Sequence, residues 1–200
     1  MLKKFRPFSR FAKDEHGLIS VETVIIFPIL LWALAAMFVF FDAFKAQNTN
    51  VKATYTIADL ISRTSDPIND DFIDGMDNVF EQLVSSDQAA NIRVSVVGQR
   101  LAPNGTDTER FLVWSQATGT MIAHTDVEAI EPMIPMMATG DQLIFVESTM
   151  LWTPVMSFGL SEMTLTNVAF TSPRFVPQVV FNASASGGDG GDGGLGGGRY

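Results

Sequence analysis

The longest apolar run in the chain is Thr23 to Phe41, "TVIIFPILLWALAAMFVFF", nineteen residues without a charge. At about 1.5 Å of rise per residue it roughly matches the ~30 Å hydrocarbon thickness of a bilayer, which predicts a transmembrane helix. The sequence at its far end, "FVFFDAFKAQ", is bulky and aromatic rather than small, so the segment reads as an anchor and not as a cleaved secretory signal. Pro28 falls in the first turns, where a membrane helix tolerates it as a kink. Past the span, "AFKAQNTNVKATYTIADLISR" contains neither Gly nor Pro. It sets Ala46, Asn50 or Val51, Ala53 or Thr54, Ile57, Ala58 and Ile61 on one stripe, so the helix is expected to continue to about 40 residues in all, until Pro67 stops it.

After Pro67 the stretch "NDDFIDGMDNVFEQLVSS" repeats apolar residues at helical spacing, Phe72, Ile73, Met76, Val79, Phe80, Leu83 and Val84, with carboxylates on the other face. The period then changes to two. "NIRVSVVGQRL", with Ile92, Val94 and Val96 alternating, and "RFLVWSQA" flank the turn signal "PNGTD" and predict a hairpin. "DQLIFVESTMLW" and "MTLTNVAFTS" predict two further strands, and "TDVEAIEPMIPMMATG" between the pairs is irregular, broken by Pro132 and Pro135. The expected fold class is α+β: a single N-terminal transmembrane helix continuing into a long helix, then an extracytoplasmic domain with a mostly antiparallel sheet. Four regions follow: a basic cytoplasmic leader over 1–16, the helix over 17–66, the outer domain over 67–182 and a Gly-rich flexible tail over 183–200. That tail, "SASGGDGGDGGLGGGRY" from Ser184, holds nine of the 16 glycines and cannot offset its ordering entropy.

Charge adds orientation. The 13 basic and 22 acidic residues give a net charge of −9, yet residues 1–16 hold Lys3, Lys4, Arg6, Arg10 and Lys13 against only Asp14 and Glu15. The positive-inside rule then places the N-terminus in the cytoplasm and everything after about Asp42 outside. An acidic body on a basic head argues against nucleic acid as a partner, because phosphate neutralisation needs a basic face on the folded part. With no cysteine, disulfides and thiolate chemistry are excluded.

One acid breaks the pattern at the mouth of the span: Glu22, in "HGLISVETVIIFP". An ionised carboxylate near hydrocarbon is costly and usually marks a function or a partner. The run Gly17, Leu18, Ile19, Ser20, Val21, Glu22 resembles the type IV prepilin signature, in which a peptidase cuts after Gly and the fifth mature residue is Glu. With the charged stretch before it and Pro28 after it, the segment from about residue 10 to 63 resembles the TadE/TadG-like family of tight-adherence (Flp) pilus assembly proteins. The resemblance implies a pilin-like layout, processing between Gly17 and Leu18 by a prepilin peptidase, and helix docking through Glu22 and Pro28. Partners would then be the inner membrane, other pilus or pseudopilin subunits and assembly-platform proteins. One departure is visible: "KDEHG" sets Lys13 four positions before the Gly, with Asp14 and Glu15 between. The bland alternative for Glu22 is a carboxylate that snorkels to the headgroup boundary without a partner.

Other chemistry is weaker. Asp70, Asp74, Gly75 and Glu81 occupy positions of an EF-hand loop, but Phe72 stands where a ligand is needed, so an amphipathic helix is expected there. Gly187 to Leu195 imperfectly matches a single calcium-binding nonapeptide, and one copy cannot stack into a roll. Met133, Met136 and Met137 read as gap-fillers more than as an adaptable docking surface. His16 belongs to the leader, and His124, with Asp126 and Glu128 nearby, is expected in a solvated turn rather than at a metal. No hydrolase, Walker or dinucleotide motif occurs, so neither catalysis nor a cofactor is expected. Two roles remain: a structural component of a pilus or secretion machine, or a membrane-tethered binding module whose helix serves only as an anchor.

Overall fold

The computed structural model describes residues 18–85, 90–103, 105–156 and 159–183. Helix α1 spans Leu18–Ser62, 45 residues, with Pro28 inside it, and helix α2 spans Asp70–Val84. Four strands follow: β1 (Ala90–Leu101), β2 (Thr108–Ala117), β3 (Gln142–Trp152) and β4 (Met163–Thr171). They form one antiparallel sheet in the order β2-β1-β3-β4, so the class is α+β as expected. The described residues divide into two compact units. The first holds α1 as far as Ala43 together with Pro154–Ser161; the second holds the rest of α1, α2, the sheet and the chain after it.

In the first unit α1 is long and apolar enough to cross a membrane, and its side chains from Val21 to Leu34 are all exposed. In the second unit the same helix buries a stripe. Asn50, Ala53, Thr54, Ile57, Ala58 and Ile61 are all buried, the face that the helical spacing marks out. Each fully buried Ile contributes roughly 1.5–3 kcal/mol, which is where this part of α1 draws its stability. They pack with Ile73 and Phe80 of α2 and with Ile92, Val94, Val96, Ile144 and Val146, which share one face of the sheet.

α1 ends sooner than Pro67. Its last turn tightens through Arg63 N donating to the Leu60 carbonyl and Thr64 N to the Ile61 carbonyl, both at 3.2 Å. The chain must leave the helix there because Ile68 pairs with Phe181 as an isolated bridge, bonded to the backbone of Val180 and Asn182 on either side. Asn69 then caps α2, its Oδ1 accepting from Phe72 N at 2.9 Å, and Asp70 and Asp71 lie in the first turn, where they complement the helix dipole. Leu83, expected on the packing face, is exposed instead, since the buried stripe of α2 runs through Ile73, Phe80 and Val84.

The β1–β2 hairpin forms as predicted. Its register shifts between Val96 and Val97, which leaves Val113 unpaired between Trp114 and Leu112. The bulge turns Trp114 toward the helices, where its Nε1 donates to the Val179 carbonyl at 2.9 Å, while Leu112 joins the other face. That second face packs Val97, Leu143 and Phe145 against Ile130 and Ile134 of the connection between β2 and β3.

Candidate functional site

Of the four residues singled out in the sequence, Gly17 lies outside the described residues, as do the leader with His16 and the tail with its nonapeptide. Leu18 is the first residue of α1 as described. Glu22 and Pro28 are both on α1 and both exposed, about one and a half turns apart. Glu22, Thr23, Ile26, Phe27 and Leu30 border a shallow hollow of about 300 Å3, so the carboxylate stands beside Thr23 on a mostly apolar helix surface.

Farther along α1, polar groups enter the core. Asn50, Thr54 and Ser148 are fully buried. Thr54 Oγ1 lies 2.7 Å from the Asn50 carbonyl oxygen and 2.6 Å from Ser148 Oγ. Ser148 Oγ donates to Asn50 Oδ1 at 2.8 Å, and Asn50 Nδ2 donates to the Leu165 carbonyl at 3.3 Å. This knot joins α1 to β3 and β4 by direction-dependent bonds in place of apolar contact alone. Asn167, opposite Ser148 in the sheet, has a buried Nδ2 without a hydrogen bond. The end of α1 is tied a second way: Asp59 pairs with Arg63 at 2.8 Å and with Arg174 at 2.9 Å, and Arg174 N donates to the Ser62 carbonyl.

The other face of the sheet holds a charge cluster that sequence reading missed. Arg93 and Glu147 stand opposite each other in the β1–β3 register. Arg93 donates through Nε to Glu147 Oε2 at 2.6 Å and through Nη2 to Oε1 at 2.7 Å, while its Nη1 reaches the Ile122 carbonyl at 2.8 Å. His124 Nε2 lies 2.8 Å from Glu147 Oε2, and its backbone N donates to Ser115 Oγ. His124 is therefore not in a solvated turn beside Asp126 and Glu128. The connection after β2 folds back over the sheet and buries its ring against Glu147, while Asp126 caps Glu128 N. Burial pushes the Glu147 carboxyl up, but hydrogen bonds from Arg93 and His124 and their charges outweigh it, holding the group below the usual carboxylate range. The signal in the sequence was one charge of each sign inside two apolar strands, "NIRVSVV" and "LIFVEST".

Asp77 of α2 shows the opposite balance. Burial raises its pKa, Glu81 and Asp74 add to the rise, and the bond from Thr118 Oγ1 at 2.7 Å offsets it only in part. Asp70, Asp74, Gly75 and Glu81, whose spacing partly matches an EF-hand loop, all lie in helix α2, as the amphipathic pattern led us to expect. Among the methionines, Met137 packs against the second-face cluster as a gap-filler does, but Met136, in the irregular segment after Pro135, is 98% exposed and departs from that expectation.

Comparison of the chain with protein-family models, with curated proteins and with solved structures finds no match. The geometry itself defines an α+β protein with a long, apolar N-terminal helix and a four-stranded antiparallel sheet.

Proposed function

We propose that the chain is a membrane-anchored minor pseudopilin or accessory component in the assembly of a tight-adherence (Flp-like) pilus or secretion system. It would cross the inner membrane once, with the N-terminus cytoplasmic and the sheet-bearing unit outside. The observation that carries the reading is α1: one unbroken helix whose first half exposes an apolar surface bearing a single acid, Glu22, and whose second half is built into a folded core. A helix that only anchors needs neither that acid nor a continuous passage into the core.

In this role Glu22 is a docking group. On a neighbouring subunit an N-terminal amine freed by cleavage between Gly17 and Leu18 offers the opposite charge, and a paired charge in low dielectric costs far less than either alone. The test is piliation in cells carrying Glu22→Ala, with membrane fractionation as control. Loss of pili with the protein still in the membrane is expected. Normal piliation removes the docking role. The competing reading, an inert tether, predicts full activity after residues 17–41 are exchanged for an unrelated span.

A further inference from the structure

The β3–β4 connection, Thr153 to Ser161, reads "TPVMSFGLS" and carries no charge. Loops at a water-facing surface are ordinarily polar, since they expose both backbone and side chains. Here Val155 is 88% exposed and Met156 52%. The described residues of 154–161 group with the first half of α1, not with the strands they join. Within that unit Val155 and Met156 face Leu31, Leu34, Phe38 and Val39 of α1 across an apolar cavity of about 480 Å3, and Asp42 lies at its end. From Leu31 to Asp42 the wall follows about 16 Å of helix. Phe38 and Phe41 beside it are exposed, so loop and helix together present one apolar patch.

Resting on the membrane anchoring proposed above, we infer that Val155 and Met156 form a second membrane foothold, entering the outer leaflet beside α1 with a lipid acyl chain filling the cavity. Irregular backbone is not tolerated in the hydrocarbon interior, so the loop stays at the headgroup boundary and only its side chains reach the ~5–10 Å typical of interfacial insertion. Asp42 marks the same boundary on the helix. The occupant is lipid and not a second helix because paired membrane helices meet through small residues. This wall offers Leu31, Leu34 and Phe38 and a single small residue, Ala35.

The absence of cysteine makes a direct test simple. Single-cysteine variants of the full chain at Ile29, Val155 and Thr120 are labelled with an environment-sensitive fluorophore and reconstituted in phosphatidylethanolamine/phosphatidylglycerol vesicles. Quenching by nitroxide lipids, with the nitroxide near the headgroup or deep in the chain, then reads depth, and circular dichroism confirms folding. The expected result is deep quenching at Ile29, shallow quenching with a blue shift at Val155, and a water-like signal at Thr120. A quenched Ile29 with a water-like Val155 overturns the foothold and leaves the anchor standing. Water-like signals at both sites overturn the anchor and the foothold with it. A blue-shifted Val155 that no lipid quenches and that turns water-like on dilution of protein into excess lipid assigns the surface to a second copy and overturns the lipid assignment. A second variant, Met156→Asp, is expected to abolish quenching at Val155 while leaving Ile29 quenched; retained quenching at Val155 counts against the foothold.

Discussion

Replacing Glu147 with Gln keeps the shape of the side chain and removes the charge that holds Arg93 and His124 together. Arg93 makes two short bonds to the carboxylate, and hydrogen bonds to charged groups contribute about 1.5–3 kcal/mol each. The Gln amide can accept only one of them, and its NH2 faces guanidinium donors. Removing one partner of a fully buried pair costs about 3–5 kcal/mol because the other charge is left without compensation. The two side chains retain 19% and 13% of their exposure, and Arg93 keeps its bond to the Ile122 carbonyl, so about 2–3 kcal/mol is expected at neutral pH. Urea unfolding of the full chain in detergent micelles, followed by tryptophan fluorescence, reads this as a midpoint lowered by about 1 M for a slope of ~1–3 kcal/mol/M. The pH dependence follows from the lowered folded pKa of Glu147. The ionised group favours the fold, its contribution is complete above the ordinary Glu value of about 4.3, and it is lost as pH falls through the lower folded value. The gap between wild type and Glu147→Gln should therefore close on acidification. A cost under about 0.5 kcal/mol, the level of a surface pair, or a gap that stays constant to low pH, would refute the reasoning.

Three further outcomes are expected. Asp77→Asn keeps an acceptor for Thr118 and removes a carboxylate whose folded pKa is raised, so its stability at neutral pH should equal or exceed that of wild type. Wild type should gain on the variant as pH falls, since the penalty of the raised group is complete above its folded pKa and relieved by protonation; thermal melts at two pH values check this. Gly119 sits at φ +55, and a Cβ there would meet Asn91 Oδ1 at 1.7 Å. Gly119→Ala should cost about 2 kcal/mol or more, from left-handed strain of ~1–2 kcal/mol plus displacement of the Asn91 side chain, read as a lowered unfolding midpoint. Asn50→Leu removes the bonds to Ser148 and to the Leu165 carbonyl but leaves Thr54 paired with Ser148, so the loss should be about 1–2 kcal/mol, and amide exchange in β4 should speed up around Leu165.

What was legible in the sequence was whatever local periodicity encodes. The stripe Ala53, Ile57, Ala58 and Ile61 and the alternation of Ile92, Val94 and Val96 each follow from one helix or one strand having a single core to face, and both packed as read. The Arg93–Glu147–His124 cluster was not legible, because its members come from β1, from β3 and from the connection between β2 and β3, and only the strand register makes neighbours of residues 54 positions apart. The same limit hid the end of α1. Pro67 is the obvious local stop, whereas the actual exit after Ser62 follows from a pairing between Ile68 and Phe181, which lies beyond any window of sequence. The loop of Val155 and Met156 carried a visible signal, an uncharged apolar turn between two strands. Its neighbours on α1 lie more than a hundred residues earlier, so the signal had no address until the fold supplied one.

The buried polar knot on α1 does something that its apolar stripe does not. An apolar stripe alone, Ala53 to Ile61, would hold α1 on the sheet by area, and area is tolerant: a slide of the helix exchanges one aliphatic contact for another at small cost. Asn50 and Ser148 are not tolerant in this way: a displacement of α1 breaks the bonds of Ser148 to Asn50 and Thr54 and that of Asn50 to the Leu165 carbonyl, leaving buried polar groups unpaired at about 1–3 kcal/mol each, while Thr54 keeps its bond to the Asn50 carbonyl within the helix. Arg174 adds a second fixed point near the last turn, through its pair with Asp59 and its backbone bond to the Ser62 carbonyl. A helix whose outer half only needed to be buried could dispense with both. In the pseudopilin role proposed above, in which the first half of α1 would meet neighbouring subunits, a register set within the second unit would keep the helix from sliding on its own sheet.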